Sequence, residues 1–209
     1  MLITYEELLD ILQKHDINIT GVLHVGSHEC EELDLYSKLQ VIPDKIIWID
    51  ALLTKVLESI DKGIPNVYSA VITDQDDVDV QFNVSNNIQS SSVLPFKTHL
   101  VEHPWVHYTE SKKMKSVTID TFAYRYGIDM STINMWNMDI QGAELMALKG
   151  GLKSLKHVKL LYLEVNEKEL YEGCALLPEV DNFLKGQGFE RVMIRMTEWG
   201  WGDAVYVRF

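Results

Sequence analysis

The fold is decided by residues 134–151, NMWNMDIQGAELMALKGG, where a strand pattern changes to a helix pattern within a few positions. The first residues are mostly apolar, and Asp139 places a carboxylate where that strand should end. Gln141 and Gly142 form the turn, and apolar residues then recur at helical spacing until Gly150 ends the helix. The stretch therefore predicts a strand, a turn and a helix in direct succession.

Asp139 has two interpretations on this stretch alone. A carboxylate at the carboxyl end of a buried strand lies where open α/β sheets bind their ligands. The same residue could instead serve only to cap the helix that follows. The rest of the chain has to decide between a site residue and a cap.

Strand and helix patterns alternate along that remainder. Apolar runs without polar alternation, such as residues 21–25 and 46–50, predict strands buried on both faces of a parallel sheet. Further strands are expected at 66–73, 78–84, 116–119, 134–138, 158–165, 189–195 and 204–209, and helices at 4–15, 29–39, 52–60, 120–126, 143–148 and 177–185. The alternation predicts an α/β fold in which helices cover both faces of a mostly parallel sheet.

The composition predicts one globular domain. A chain of 209 residues, 46% hydrophobic and 24% charged, suits a single core over residues 1–209, with an N-terminal helix within residues 1–20. The start lacks the basic and apolar blocks of a signal peptide, so a cytoplasmic location is expected. No apolar run reaches the ~20 residues of a membrane span. The net charge of −12 opposes nucleic-acid binding, which depends on basic contacts to phosphate.

Residues 85–115 break the alternation and are expected to form a long loop with one short helix that serves as a substrate lid. Three histidines in this segment recur every four residues, as zinc ligands on a helix would: His99, His103 and His107. Pro104 interrupts that spacing and no fourth ligand follows, so zinc is the weaker interpretation. The stronger one is a lid in which Trp105 and Tyr108 stack on a ring of the substrate.

Three predicted core strands end in acidic residues, namely Asp50, Asp139 and Glu164. Because parallel strands share a direction, these carboxylates should gather along one edge of the sheet, beside the turn at Gly26. Clustered carboxylates repel one another, and a cation or hydrogen-bond donors must offset that repulsion. The gathering favours a site role for Asp139.

The turn after the first strand has one glycine, Gly26, where a dinucleotide fingerprint has three. A ligand without a pyrophosphate therefore fits this turn better. Asp50 follows by about 24 residues, near the spacing at which an acid binds a ribose diol, although it could also cap the next helix. One glycine and two acidic strand ends together suggest a class I S-adenosylmethionine site.

The chain resembles the FkbM family of methyltransferases over most of its length from residue 21 onward. The matching segments are GVLHVGSHECEE at 21–32, IWIDA at 47–51, SSSVL at 90–94, VTIDTF at 117–122, MDIQGAELMALKGG at 138–151 and YLEVN at 162–166. The resemblance implies a Rossmann-like class I methyltransferase, with a mostly parallel seven-stranded sheet, that uses S-adenosyl-L-methionine for O-methylation, often of sugar hydroxyls.

The resemblance also implies which residues bind the cofactor: His24, Gly26, Ser27, Glu31, Asp50, Ala51, Ala70 and Val71. His24 stands where many methyltransferases have an acid, so Glu31 is the expected alternative partner of the methionine amino group. Ala70 and Val71 are expected beside the adenine. No NPPY-type tetrapeptide follows the fourth strand, which agrees with an oxygen rather than a nitrogen acceptor.

Asp139 is the expected catalytic residue. It is expected to act either as the base that takes the proton of the acceptor hydroxyl or as a ligand of a metal that lowers the pKa of that hydroxyl. Some O-methyltransferases of similar fold bind Mg²⁺ with acids at the ends of strands four and five. That pattern gives Asp139, Glu164 and Asn166 as candidate ligands of Mg²⁺ or Mn²⁺. In the alternative, Glu164 and Asn166 hydrogen-bond the substrate without metal.

We therefore expect an S-adenosylmethionine-dependent O-methyltransferase that acts on a sugar hydroxyl, in particular a deoxysugar of a glycan. Two alternatives stay open: the same reaction on another small hydroxylated metabolite, and a methyltransferase fold that only binds or assembles. Intact acids at positions 50, 139 and 164 argue against the second alternative. The sequence identifies neither the sugar nor the oligomeric state.

Overall fold

The protein, described over residues 1–209 by a computed structural model, contains ten strands and eight α-helices. The strands are β1 Val22–Val25, β2 Ile46–Asp50, β3 Val67–Ser69, β4 Val71–Ile72, β5 Asp79–Ser85, β6 Tyr108–Val117, β7 Met135–Met138, β8 Leu160–Asn166, β9 Phe189–Met196 and β10 Trp201–Arg208. The helices are α1 Tyr5–Lys14, α2 Leu33–Lys38, α3 Leu53–Asp61, α4 His99–Glu102, α5 Ile119–Tyr126, α6 Glu144–Lys149, α7 Leu152–Leu155 and α8 Leu177–Gly186. All eight helices are too short or too polar to cross a membrane.

Seven strands form the main sheet, in the order β3-β2-β1-β7-β8-β10-β9. The first five pair in parallel, and β10 is antiparallel to both of its neighbours, β8 and β9. All residues of β1, β7 and β8 are buried, because helices cover the sheet on both sides. The prediction of an α/β fold with a mostly parallel sheet of seven strands is confirmed.

Two apolar cores lie on the opposite faces of this sheet. Trp136 of β7 belongs to one core and Trp48 of β2 to the other, and both side chains are fully buried. Each such side chain stabilises the fold by roughly 1.5–3 kcal/mol relative to exposure. The two cores therefore fix the register of the sheet, since a slip by one residue would move each tryptophan to the wrong face.

The predicted third strand, residues 66–73, is divided at Ala70. β3 belongs to the main sheet, whereas β4 joins β6 and β5 in a second sheet of three strands. The Ala70 amide still donates to the Asp50 carbonyl at 3.0 Å, so the chain leaves the main sheet beside the end of β2. This departure opens space next to Asp50.

The expectation of a loop over all of residues 85–115 is wrong at its end. Residues 108–117 form β6, which pairs with β5 in an antiparallel hairpin. Lys113 and Lys115 lie on this strand, and both pair with Asp79 of β5. Only residues 86–107 connect the two strands, and α4 is their one short helix. No residue of β6 before Ser116 is buried, so its sequence lacks the alternation of apolar and polar residues that identifies a half-buried strand.

Helix boundaries follow the sequence in most places. α1 begins at the capping box of Thr4 and Glu7, as predicted. α2 is shorter than the expected 29–39, because His28 and Cys30 have left-handed backbones that a helix cannot contain. α6 ends at Gly150, whose backbone is right-handed; a Cβ at Gly150 would lie 2.2 Å from the Thr73 carbonyl oxygen. Close packing, rather than a left-handed cap, therefore requires that glycine.

Candidate functional site

The carboxyl ends of the parallel strands bring the three predicted acids to one edge of the sheet. Asp50 is the last residue of β2, Asp139 follows β7 directly, and Glu164 lies near the end of β8. The three acids divide between two adjoining clefts, called here the first cleft and the second cleft. Asp50 lines the first, Glu164 lines the second, and Asp139 lines both.

Gly26 makes the turn that separates the two clefts. Its backbone has a φ of +87°, and a Cβ built there would lie 1.8 Å from the carbonyl oxygen of Asp139. Its amide donates to the Ile49 carbonyl at 2.8 Å, and the Asp139 amide donates to the Val25 carbonyl at 3.0 Å. The loops after β1 and β7 are therefore interlocked, and only glycine permits this approach.

The first cleft has about 620 Å³ of empty space and a mostly apolar lining. It is lined by Val25, Gly26, His28, Ile49, Asp50, Ala51, Leu52, Ala70, Val71, Ile72, Phe82, Ile88, Gln89, Ser91, Val93, Asp139, Ile140, Gln141 and Ala143. Five of the residues expected to bind the cofactor are among them: Gly26, Asp50, Ala51, Ala70 and Val71. An apolar slot with one carboxylate suits a flat, weakly polar ring joined to a diol.

The Asp50 carboxylate is held by backbone amides and also faces the first cleft. Its carboxylate accepts hydrogen bonds from the backbone amides of His28 at 2.8 Å and Leu52 at 2.7 Å. Burial raises the pKa of Asp50 above its usual value, and these two hydrogen bonds act in the opposite direction. The N-cap residue of α3 is Leu52, so Asp50 does not cap this helix. Each carboxylate oxygen keeps lone pairs for a further donor, so the two hydrogen bonds do not prevent binding from the cleft side.

Three expected cofactor residues lie outside the first cleft. Ser27 is buried and lines neither cleft, whereas His24 and Glu31 line the second. His24 is paired through Nδ1 with the Tyr36 hydroxyl at 3.0 Å, and burial lowers its pKa to about 4. Glu31 is half exposed and pairs with His28 at 2.7 Å. His24 is therefore a neutral hydrogen-bonding group, not a substitute for an acid.

The second cleft is larger, with about 1530 Å³ of empty space, and most of its lining is polar. It is lined by Met1, Leu2, His24, Gly26, His28, Glu31, Glu32, Asn87, Gln89, Ser90, His99, His103, Trp105, Val106, Asn137, Met138, Asp139, Gln141, Tyr162, Glu164, Leu170, Trp201 and Asp203. The two clefts share Gly26, His28, Gln89, Asp139 and Gln141. A ligand in one cleft can therefore face a ligand in the other across Asp139.

Gln141 holds the acids at this boundary. Its Nε2 donates to Asp139 at 2.6 Å and to Glu164 at 2.7 Å, and its Oε1 accepts from the Tyr171 hydroxyl. Its backbone is left-handed, with a φ of +57°, and its carbonyl accepts from the Ser92 hydroxyl at 2.8 Å. The sequence analysis assigned Gln141 only to the turn. The clustered carboxylates were expected to need a hydrogen-bond donor, and the side-chain amide of Gln141 is that donor.

Glu144 is a buried acid that the sequence analysis did not single out. Its carboxylate accepts from the amides of Ile140 at 2.8 Å and Gly142 at 3.2 Å, which fixes the turn after β7. Burial raises the pKa of Glu144 to about 7. Its place in the quoted 134–151 stretch, five residues after Asp139, was the signal that could have identified it.

Asp139, Glu144 and Glu164 offer carboxylate oxygens that lie within 4.8 Å of one another. Burial raises the pKa of Glu164 well above its usual range, and the charges of Asp139 and Glu144 raise it further. Both effects favour the protonated form of Glu164. Asn166, the third candidate metal ligand, is buried and its Oδ1 has no hydrogen-bond partner.

Aromatic side chains form the wall of the second cleft opposite the acids. Trp105 is 67% exposed and its ring meets that of His103, which also contacts Trp199. His99 stacks on Phe96 at 4.3 Å between ring centroids instead of joining a metal site. The three histidines do not gather as ligands, and the acidic group is the one metal-like cluster in the structure.

The sheet order, the antiparallel β10 and the clefts at the carboxyl ends define a Rossmann-like methyltransferase fold. A search of solved structures agrees. The crystal structure of methyltransferase FkbM from Methylobacillus flagellatus KT matches with a TM-score of 0.58 and 14% identity, over 91% of this chain and 44% of that one. That of Sp1610 from Streptococcus pneumoniae, a putative tRNA (m1A22) methyltransferase, matches with a TM-score of 0.51 and 13% identity, over 97% and 69%.

The chain belongs to the FkbM methyltransferase family, because the family model for the methyltransferase FkbM domain matches residues 62–191. A curated relative, 2-O-methyltransferase NoeI of Sinorhizobium fredii (strain NBRC 101917 / NGR234), is 32% identical over 84 residues. The matched stretch covers 40% of this chain and 34% of that relative. The resemblance noted in the sequence is confirmed.

Proposed function

We propose that this chain transfers a methyl group from S-adenosyl-L-methionine to a sugar hydroxyl. The observation that carries the proposal is the contact between the two clefts. The first has an apolar lining with the Asp50 carboxylate, which suits a nucleoside, the second has a polar lining, which suits a polar acceptor, and they meet at Gly26, Asp139 and Gln141. The printed name of NoeI, a 2-O-methyltransferase, supports oxygen as the atom that is methylated.

The residues of the first cleft fit the proposed cofactor. Asp50 presents a half-buried carboxylate to a ribose diol, and Ala70 and Val71 present small apolar side chains to an adenine ring. A Cβ at Gly26 would collide with the carbonyl oxygen of Asp139, so the glycine allows the loops after β1 and β7 to meet at the boundary between the clefts. When bound, S-adenosyl-L-methionine supplies an activated methyl group on a sulfonium. Holding the acceptor oxygen in line with it contributes up to about 7–11 kcal/mol to lowering the barrier.

Asp139 acts as the general base in this proposal. It is exposed to both clefts, and its carboxylate is oriented by the Gln141 amide at 2.6 Å. A base placed at the acceptor oxygen takes the hydroxyl proton as the new bond to carbon forms. Such a group contributes roughly 10²–10⁴-fold to the rate.

Gln141 and Glu164 keep Asp139 in its working state. Burial raises the pKa of Glu164 and so favours its protonated form, in which Asp139 does not face a second full negative charge. The Gln141 amide donates to both carboxyl groups and is itself held by Tyr171. Neutral Glu164 is then also a donor for an acceptor oxygen.

Metal binding stays a prediction. A cation held by Asp139 and Glu164 would have to replace the Gln141 amide, which already occupies the gap between their oxygens. Asn166 retains a free Oδ1 for either a cation or a substrate hydroxyl. Methyl transfer measured after exhaustive EDTA treatment, with Mg²⁺ or Mn²⁺ added back, tests these proposed metal ligands. Activity that is unchanged by EDTA contradicts a role for a metal.

The sugar is supported by the shape and chemistry of the second cleft. Hydrogen-bonding side chains line one wall, and the exposed ring of Trp105 lies on another beside His103. Sugars present hydroxyls at their edge and C–H groups on their faces, which suits a polar wall opposite an aromatic one. The segment 86–107 carries Trp105 and so takes the role proposed for the lid.

Calorimetry with S-adenosylhomocysteine tests the cofactor half of this proposal. We expect micromolar-range binding to the wild type and at least roughly tenfold weaker binding to Asp50→Ala, since a charged hydrogen bond contributes about 1.5–3 kcal/mol. Asp61→Ala, at an exposed position at the end of α3, is the matched control and should bind normally. Absence of binding by the wild type contradicts the methyltransferase proposal.

A further inference from the structure

One buried side chain of the second cleft has a polar atom without a partner. Six buried side-chain atoms of the protein lack a hydrogen-bond partner, and they belong to His15, Ser27, Trp48, His99, Trp136 and Asn166. Among these residues only His99 lines either cleft, and the cleft that it lines is the second. Because buried polar atoms are normally hydrogen-bonded, this exception at a cleft indicates a side chain whose partner comes from outside the protein.

The imidazole of His99 is held by packing and not by hydrogen bonds. Its ring stacks on Phe96, and Phe96 stacks in turn on Tyr108 at 3.9 Å between ring centroids. The backbone amide of His99 donates to the Leu170 carbonyl at 3.2 Å, which fixes the start of α4 against the loop after β8. Nδ1 is buried without a partner, and Nε2, which has no partner in the protein either, is the ring nitrogen that a ligand in the cleft can reach. A phenylalanine would fill this stack without the cost of an unpaired polar atom.

The ring of His99 is uncharged at neutral pH. Burial lowers the pKa of His99 to about 4, and the neighbouring His103 acts in the same direction. A neutral imidazole has one nitrogen that donates a hydrogen bond and one that accepts. A hydroxyl group can do either, so it can pair with the open nitrogen in both tautomers, whereas a carboxylate can only accept and an ammonium group can only donate. The chemistry of this position therefore suits a hydroxyl group.

Other buried polar side chains of the second cleft already have partners in the protein. The Asn137 amide donates to the Tyr36 hydroxyl at 2.8 Å, and the Tyr162 hydroxyl donates to Asp203. A ligand has to share these groups with the protein. His99, in contrast, offers a nitrogen that the protein does not use.

His99 and the proposed base are separate points of the same cleft. The His99 ring centroid lies 5.4 Å from that of Tyr171, whose hydroxyl donates to Gln141. The Gln141 amide donates in turn to Asp139 at 2.6 Å. No hydrogen bond joins His99 to Asp139, although both line the second cleft. Because a sugar ring carries several hydroxyls, one of them can meet Asp139 while another meets His99.

We propose that His99 binds a second hydroxyl of the acceptor, one that is not methylated, and so selects which hydroxyl faces Asp139. The inference rests on the proposed function, because it assigns a recognition residue to the cleft that is proposed to hold the acceptor. An alcohol with a single hydroxyl would meet Asp139 and leave His99 unpaired. The cleft therefore favours an acceptor with several hydroxyls over a simple alcohol.

Methyl glucoside and its four monodeoxy analogues, each lacking one ring or side-chain hydroxyl, test this inference. Binding of each sugar to the full chain loaded with S-adenosylhomocysteine is measured by ligand-observed NMR titration. We expect at least one analogue to bind roughly 2–10-fold more weakly than methyl glucoside, the range for one neutral hydrogen bond. In His99→Phe, which keeps the stack on Phe96, that analogue and methyl glucoside should bind with equal affinity.

Three further variants connect this result to the named residues. His107→Phe changes an exposed histidine of the same segment that lines neither cleft, so it should keep the wild-type difference between the sugars. His99→Leu removes the same two nitrogens with a different shape and serves if His99→Phe does not fold. Asp139→Ala should remove the discrimination against a different analogue, because Asp139 faces the hydroxyl that is methylated.

The outcomes separate this inference from the proposed function. If His99→Phe discriminates among the sugars as the wild type does, or if the wild type binds all five equally, the inference is overturned while a sugar acceptor survives. If His99→Phe and Asp139→Ala lose discrimination against the same analogue, both residues bind one hydroxyl and the selection is overturned. If S-adenosylhomocysteine binds but none of the sugars does, the sugar acceptor and the inference are both overturned. If S-adenosylhomocysteine itself does not bind, the methyltransferase proposal fails first and the inference fails with it.

Discussion

The two clefts share a wall and differ in almost everything else. The first is apolar, and its half-buried carboxylate, Asp50, accepts from two backbone amides. The second is polar, and its buried carboxyl group Glu164 depends on one side-chain amide, that of Gln141. Backbone donors fix the orientation of the Asp50 carboxylate in the first cleft. A side-chain donor leaves the second sensitive to pH and to substitution.

The largest expected effect is at the boundary between the clefts. Asp139→Asn keeps the size of the side chain but removes the base, so the methyl-transfer rate should fall roughly 10²–10⁴-fold. Affinity for S-adenosylhomocysteine should change little, because Asp50 and the apolar lining remain. Steady-state kinetics and calorimetry measure the two quantities. If the methyl-transfer rate and the affinity for S-adenosylhomocysteine fall by comparable factors, Asp139 acts in cofactor binding and not as the base.

The next prediction concerns pH and the turn at the start of the second cleft. Glu144 has a folded-state pKa of about 7 against 4.5 in the unfolded chain. The folded state therefore holds more protons between these values, and the free energy of unfolding falls as pH rises, by up to about 3 kcal/mol. Glu144→Gln, which can still accept from both amides, should flatten this slope. Urea unfolding at pH 5 and pH 7 measures how the free energy of unfolding depends on pH. An equal dependence in the wild type and in Glu144→Gln contradicts a raised pKa of Glu144.

A comparison of alanine variants at two glycines distinguishes the cost of backbone strain from the cost of a steric clash. Gly26 and Gly63 both have a left-handed φ, but a Cβ at Gly63 would meet nothing within 4 Å. Gly63→Ala should cost only the strain of that conformation, about 1–2 kcal/mol of stability. Gly26→Ala should cost roughly 1–3 kcal/mol more, since Asp139 must move, and it should weaken S-adenosylhomocysteine binding. Equal losses in the two variants would show that the clefts are not interlocked there.

The smallest expected effect on the methyl-transfer rate comes from removing one hydrogen bond that orients the Gln141 side chain while Gln141 itself is kept. Tyr171→Phe deletes the hydroxyl that donates to Gln141 Oε1 and leaves the ring in its apolar surroundings. A hydrogen bond of this kind contributes about 0.5–1.5 kcal/mol, so the rate should fall roughly 2–10-fold at unchanged cofactor affinity. Tyr108→Phe, whose hydroxyl donates to the Leu94 carbonyl, is the matched control. If Tyr108→Phe lowers the methyl-transfer rate more than Tyr171→Phe does, the important hydroxyl is the one that donates to the lid and not the one that donates to Gln141.

The first cleft was largely predictable because short segments build it. The turn at Gly26, the carboxylate of Asp50 and the small residues at 70 and 71 each follow a strand, and parallel strands bring such positions together. Position 70 illustrates the limit. Nothing local showed that the strand would divide there, since the second sheet that captures β4 depends on the distant β6.

The second cleft was predictable only in part because its contacts join distant segments. Asp139 and Glu164 were found as strand ends, but the amide between them points inward only because Tyr171 holds it from 30 residues away. Asp203 was missed because its importance comes from register: it lies opposite Glu164 in an antiparallel pair. Side-chain networks and cross-strand neighbours of this kind have no signature in a single segment.

The direction of β10 has a practical consequence for experiments on this protein. Because β10 is antiparallel to β8, it starts beside the second cleft and ends at the opposite edge of the sheet, where Phe209 is 72% exposed. Met1 and Leu2, by contrast, line the second cleft, and the Leu2 amide donates to Asp203. An affinity tag fused before Met1 would emerge at the second cleft and obstruct it. A tag fused after Phe209 leaves both clefts open for the measurements described above.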